Sequence, residues 1–245
     1  MAWWMDSFSL IDIFAFAWFW MWWVGYTYFA DSKAKNTDCL SSVLHQLRVQ
    51  WVYALMRREN RVADASIIAN LERNVSFFAS ASTLVLAGTL TALGTSDKML
   101  VLAQWFPFIK TSTPLLWEFK LLLLASIFVY AFFKFTWSLR QYNFASIAVG
   151  GAPVITNGRA FDAREASLAE HVAIVLSRAA YAFNLGLRAY YFAMAILFWF
   201  LNPWALFCVT LIVVAVLYRR EFHSNVLAAM VEINQASFAD RRLGD

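Results

Sequence analysis

Five side chains carry the chemistry most open to a ligand: Arg73, Lys134, Arg140, Asn184 and Arg188. Lys134 and Arg188 each fall about a turn or more inside an apolar run, where an ionisable group is costly and is usually paired or functional. Asn184, Arg188 and Tyr191 recur at i, i+4 and i+7, which is one helix face. Asn70, Arg73 and Phe77 share another. Arg73, Lys134 and Arg188 together would need counter-charges, from Glu59, Asp64, a lipid phosphate or a bound anion. The plain alternative is that Lys and Arg near a helix end snorkel to the interface, with Gln141 and Asn143 completing a polar belt. A second belt consists of Asp12, Glu118 and Lys120. Asp12, roughly one turn into its segment, reads as an interfacial carboxylate that hydrates or pairs at a helix end.

Other chemistries find little footing. His45, His171 and His223 lie outside the apolar segments, and none has a second His or Cys at ligand spacing. No Ser/His/Asp pattern stands out, and Gly150-Gly151 lacks the Lys-Ser/Thr of a phosphate loop. The two cysteines, Cys39 and Cys208, make neither a metal site nor an expected disulfide. We therefore assign no catalytic residue, metal or cofactor, and expect bound lipid. Nucleic acid is not an expected partner, because no basic stripe lies on a soluble domain.

The elements that must position these residues are membrane helices. The chain is 61% hydrophobic, with 23 Phe and 12 Trp among 245 residues, and its mean hydropathy is +0.56. A soluble domain is usually less apolar. Between Leu121 and Phe133 there is no charge, and residues 118–139 would be about 33 Å long as a helix, enough for a bilayer core of about 30 Å. Glu118 and Lys120 mark one end and Lys134 and Arg140 the other, with Trp117 and Trp137 placed as interfacial aromatics. Further spans are expected at residues 9–30, 74–94, 184–201 and 204–220. The first carries Trp18, Trp20, Trp22 and Trp23. With no positive charge before it, it is expected to remain in the mature protein rather than be cleaved as a signal peptide. The second has a ridge of Ala79, Thr83, Ala87 and Thr91 beside Ser76 and Ser80, which suits close helix packing and predicts a central place in the bundle. Asn202-Pro203-Trp204 breaks the last two into a hairpin that crosses the bilayer or dips in from one side.

Amphipathic helices are expected over 39–58, 163–183 and 221–235, with a polar tail beyond. Asp162 and Glu165 form a start resembling a capping box, and the helix there can run on into the fourth span. Asn143 to Arg164, with Gly150, Gly151, Pro153, Asn157 and Gly158, reads as a loop. Thr95 to Pro114, interrupted by Pro107, reads as interfacial or re-entrant. The mixed signs of Arg57-Arg58-Glu59-Asn60-Arg61 argue for local ion pairs. Lys and Arg alternate from side to side. There are none before the first span, seven over Lys33, Lys35, Arg48, Arg57, Arg58, Arg61 and Arg73, few in the second loop, and several again after Arg140. The positive-inside rule then places the N-terminus outside and the C-terminus in the cytoplasm. The expected fold is an all-α integral membrane protein, one membrane domain over 1–245, with five transmembrane helices and cytoplasmic amphipathic helices.

Five stretches resemble a known family: Arg57-Arg58-Glu59-Asn60-Arg61, Ser76-Phe77-Phe78-Ala79-Ser80, the run from Phe132 to Asn143, Arg188-Ala189-Tyr190-Tyr191-Phe192 and Tyr218-Arg219-Arg220-Glu221-Phe222. They are similar to a family of bacterial and plant multi-pass membrane proteins known as domain of unknown function 599. The resemblance covers most of the chain. It implies a membrane location and carries over no activity and no catalytic residue. The expected function is that of a non-enzymatic accessory or scaffold subunit in the inner membrane, with protein partners in a complex or a homo-oligomer. The alternatives are a small channel, transporter or lipid-headgroup-binding protein using the inner basic belt, and a subunit that contacts a pigment or quinone through its aromatic first helix.

Overall fold

The computed structural model describes residues 9–35, 37, 39–103, 105, 113–155 and 159–242. Among them the regular structure is helical throughout: α1 (Leu10–Lys33), α2 (Leu40–Met56), α3 (Val62–Gly94), α4 (Ser96–Ala103), α5 (Pro114–Gly150), α6 (Ala163–Trp199), α7 (Pro203–Phe222) and α8 (Asn225–Arg242). By length and composition, α3 and α5 are long and apolar enough to cross a membrane. The Trp and Tyr residues of α1 temper its hydropathy, although such rings suit the membrane interface.

Helix ends follow local chemistry. The Asp162 carboxylate accepts the Glu165 N–H at 2.7 Å and the Glu165 carboxylate accepts the Asp162 N–H at 2.9 Å, closing the expected capping box at the start of α6. From there α6 runs without a break to Trp199. Asn202 then accepts the Trp204 N–H at 3.1 Å, and Pro203 opens α7, where a missing N–H does no harm.

Several expectations are corrected. Residues 143–150 are not loop; α5 continues through them to Gly150. Ala145 and Val149 are buried one turn apart on it, and the chain leaves the helix only where Gly151 N–H bonds the Ile147 carbonyl at 3.0 Å. Arg61 then covers that helix end, donating to the carbonyls of Val149, Ala152 and Pro153. A cation at a helix C-terminus answers its orphan acceptors. Helix α3 starts twelve residues before position 74, at Val62. The tail helix does not begin at Glu221. It begins at Asn225, after a break at Ser224, whose hydroxyl accepts the Leu227 N–H, and it stays helical to Arg242. After Thr95 the chain forms α4; Pro107 lies outside the described residues, as do Asn157 and Gly158.

The described residues form two compact units. The first is drawn from Met1–Ser32, Ala79–Phe133 and Leu185–Tyr218, the second from Lys33–Phe78, Lys134–Asn184 and Arg219–Asp245. The core of the first is aromatic. Helix α1 buries Asp12, Ala15, Phe19, Trp23, Tyr26 and Ala30, steps of three and four that make one stripe. Trp23 stacks on Trp20 and on Phe192 of α6, each at 5.4 Å, and meets Tyr130 of α5 edge-on. Phe19 meets Phe192, and Trp18 meets Phe207 of α7. In the second unit Phe78, Phe135 and Phe183 pack together, and α2 lies against α8.

Helix α3 is not central. Only 22% of its most apolar stretch is buried, against 50% for α5. Its buried stripe is Asp64, Ile68, Val75, Ala79, Ser82 and Thr89, while Thr83, Ala87 and Thr91 are exposed. Each i+4 step turns about 40° around the axis, so Thr91 lies about 120° from Ala79. A ridge drawn at that spacing winds off the buried face.

Candidate functional site

Within the first unit, α1 and α5 flank a groove of about 420 Å³. From α1 come Trp20, Trp23, Val24, Thr27, Tyr28 and Asp31; from α5 come Leu123, Ser126, Ile127 and Tyr130. Both sets recur at three and four residues, so each helix contributes one face. The Thr27 and Ser126 hydroxyls inside it are already used. Thr27 donates to the Trp23 carbonyl and Ser126 to the Leu122 carbonyl, both at 2.8 Å. The lining is therefore apolar and aromatic along most of its length, with charge at Asp31.

Asp31 faces Arg188 of α6. The guanidinium Nη1 sits 3.6 Å from the Asp31 carboxylate, and its carbon lies 5.6 Å from the centre of the Tyr26 ring. The Arg188 side chain is 12% exposed and that of Asp31 38% exposed. Nη1 is buried and makes no hydrogen bond. The pair thus attracts through charge, with no hydrogen bond made at Nη1. An apolar slot that ends beside such a pair fits an amphiphile. A second, shallower hollow of about 660 Å³ lies between Ile11, Phe14, Trp18, Met21, Trp204 and Phe207, and its lining is almost wholly apolar.

Two members of the second belt, Asp12 and Lys120, are joined by a residue that types and spacing did not suggest. Trp199, at the end of α6 and 1% exposed, donates its Nε1–H to the Asp12 carboxylate at 3.0 Å. Its backbone carbonyl accepts the Lys120 ammonium at 3.1 Å, and the same ammonium lies 5.1 Å from the Trp199 ring centre. Asp12 and Lys120 are buried, so of the two expectations for Asp12 at its helix end it is pairing, not hydration, that the structure shows. Each charge stands at a helix end of opposite sign, Asp12 in the first turn of α1 and Lys120 at the last carbonyls of α6. Glu118 accepts a hydrogen bond from Ser96 at 3.1 Å. In the same unit, Ser82 of α3 bonds Tyr190 of α6 at 2.9 Å.

The inner belt is distributed over both units. Arg188 belongs to the first; Arg73, Lys134, Arg140 and Asn184 belong to the second. There Arg73 is exposed, Lys134 and Asn184 are half-buried, and the exposed Arg140 lies 5.6 Å from the centre of the Phe144 ring. Gln141 is buried with its Oε1 unpartnered. Asp64, one of the counter-charges considered, is engaged by Trp51 and Arg58. Asp31 is the acid that sequence reasoning passed over. Its signal was position: it ends the first apolar segment at the depth where Arg188 begins the fourth.

A family model described as "Protein of unknown function, DUF599" matches residues 14–226. No curated protein and no solved structure matches the chain.

Proposed function

We propose the following for a chain that belongs to the DUF599 family of proteins of unknown function: it is a non-enzymatic, five-span protein of the inner membrane that serves as an accessory or scaffold subunit. The spans in this reading are α1, the later part of α3, α5, the later part of α6, and α7. The N-terminus is outside and the C-terminus cytoplasmic. Charge supports that orientation. Of the chain's 20 Lys and Arg, the segments of the first unit carry only Lys98, Lys110, Lys120 and Arg188, and an excess of positive charge marks the cytoplasmic side.

The observation that carries the scaffold reading is the uncovered small face of α3. Thr83, Ala87, Gly88 and Thr91 are exposed there, and a Cβ added at Gly88 meets nothing within 4 Å. Thr83 and Thr91 return their hydroxyls to the carbonyls of Ala79 and Ala87, so the face is smooth and asks for no polar partner. In lipid such a surface lets a second helix approach closely. A photo-crosslinking residue at position 87 should capture a protein partner, whether another subunit or a second copy of this chain. The same probe at the exposed Leu122 of α5 should capture little. Adducts to lipid alone at position 87 would refute the scaffold reading.

A second reading is favoured by the groove between α1 and α5: a lipid held with its chain along Trp20, Trp23 and Ile127 and its headgroup at Arg188 and Asp31. Arg188→Met should then strip co-purifying lipid from a folded protein. Lipid retained at the level of the unaltered protein would count against it.

A further inference from the structure

We propose that Arg48, His45, Ser177 and Tyr142 form a binding site for a phosphate-class oxyanion. The site belongs to the second unit and is assembled from α2, α5 and α6. It is separate from the Arg188 groove and does not depend on the scaffold reading.

Arg48 is half-buried, and burial pushes its pKa below the ordinary arginine value; the group acting against that shift is the Tyr142 phenol, not a carboxylate. Among the described residues no Asp or Glu makes an ion pair with Arg48. A guanidinium withdrawn from water without a counter-charge is expensive. An oxyanion supplies that charge, and the planar fork of Arg matches its geometry.

The hydrogen bonds around Arg48 point the same way. Its Nη1 lies 3.3 Å from the Ser177 Oγ. Guanidinium can only donate, so the serine oxygen accepts. The same Oγ lies 2.8 Å from His45 Nδ1, in a bond that the serine donates when the imidazole is neutral with its proton on Nε2. That arrangement needs a neutral imidazole. Burial first, and the Arg48 charge second, lower the His45 pKa, which favours that form. The imidazole then carries its proton on Nε2. One relay therefore fixes two side chains and leaves further donors: the remaining guanidinium N–H groups and the His45 Nε2–H. Tyr142, on α5, is buried and interacts electrostatically with Arg48. This is a preformed set of donors around one cation.

The phosphate could be free or carried by a lipid, and the test separates the two. Full-length protein is titrated with inorganic phosphate against matched chloride, with thermal midpoint and calorimetry as readouts. A parallel series uses discs of phosphatidylcholine with and without phosphatidic acid. The expected result is a saturable rise in midpoint with one phosphate source. Arg48→Gln should weaken that binding about tenfold or more, as for loss of a charged hydrogen-bond donor, while leaving the midpoint without phosphate unchanged or higher. Ser177→Ala should keep the fold and weaken binding less. A response only in the phosphatidic acid discs assigns the site to a lipid phosphate; a response to inorganic phosphate assigns it to a soluble one. No saturable response in either series overturns the proposal. So does a response that survives Arg48→Gln and Ser177→Ala intact.

Discussion

Trp199→Phe is expected to destabilise the protein by about 3–5 kcal/mol, combining the cavity left by a truncated buried ring with a carboxylate stripped of its donor. Trp199 is buried and its Nε1–H is the hydrogen bond that holds Asp12 at 3.0 Å. Phenylalanine keeps an aromatic surface for the Lys120 ammonium, and the backbone carbonyl that Lys120 contacts is unchanged. The charge left exposed to an apolar environment is therefore Asp12 alone. A double-mutant cycle isolates it: Asp12→Leu in the Trp199→Phe background should restore part of the loss, so that the two changes together cost less than their sum. Thermal unfolding in mild detergent, followed by intrinsic fluorescence, reads the effect. Strict additivity would mean that Trp199 acts through packing only.

Asp64→Ala is the second large effect, at about 2–4 kcal/mol. The Asp64 side chain is fully buried; it accepts Trp51 Nε1–H at 2.7 Å and Arg58 Nη1–H at 2.8 Å. It also sits in the first turn of α3, where the helix presents unpaired N–H groups to a negative charge. The ion pair is the smaller part. Arg58 is 49% exposed, and solvent screens such a pair to about 1 kcal/mol or less. Arg58→Ala should therefore cost much less than Asp64→Ala, with Trp51→Phe between them. Hydrogen exchange over α2 and the start of α3 locates the loss. Equal effects of Arg58→Ala and Asp64→Ala would show that the ion pair, and not the buried indole and helix end, holds this corner.

Much of the helical order could be read from the chain because it is written in local chemistry. Asn202-Pro203, Gly150-Gly151 and the Asp162–Glu165 pair each act within a few residues, and each marks a helix end in the structure. What the chain hid depends on rotation about a helix or on pairing at a distance. The small ridge of α3 was assigned to the interior because i+4 spacing looks like a single face, yet it winds from buried Ala79 to exposed Thr91. Residues 143–150 resembled a loop because Gly150, Gly151 and Pro153 crowd the region, although they act only after the helix has run its course. Arg188 is recognisable as a charge in need of a partner, but its partner Asp31 is on a different helix, far away in sequence. The His45–Ser177–Arg48 cluster joins residues more than 120 positions apart, beyond any periodicity.

The proposed scaffold role requires a partner held through the exposed face of α3. Native mass spectrometry of the protein, carried out of its own membrane in discs of native lipid, tests it most directly. The expected result is an assembly, with another subunit or with further copies of the chain, that falls apart to the single chain when Ala87→Trp fills the face. A single chain before the substitution, or an assembly indifferent to it, would contradict the scaffold role.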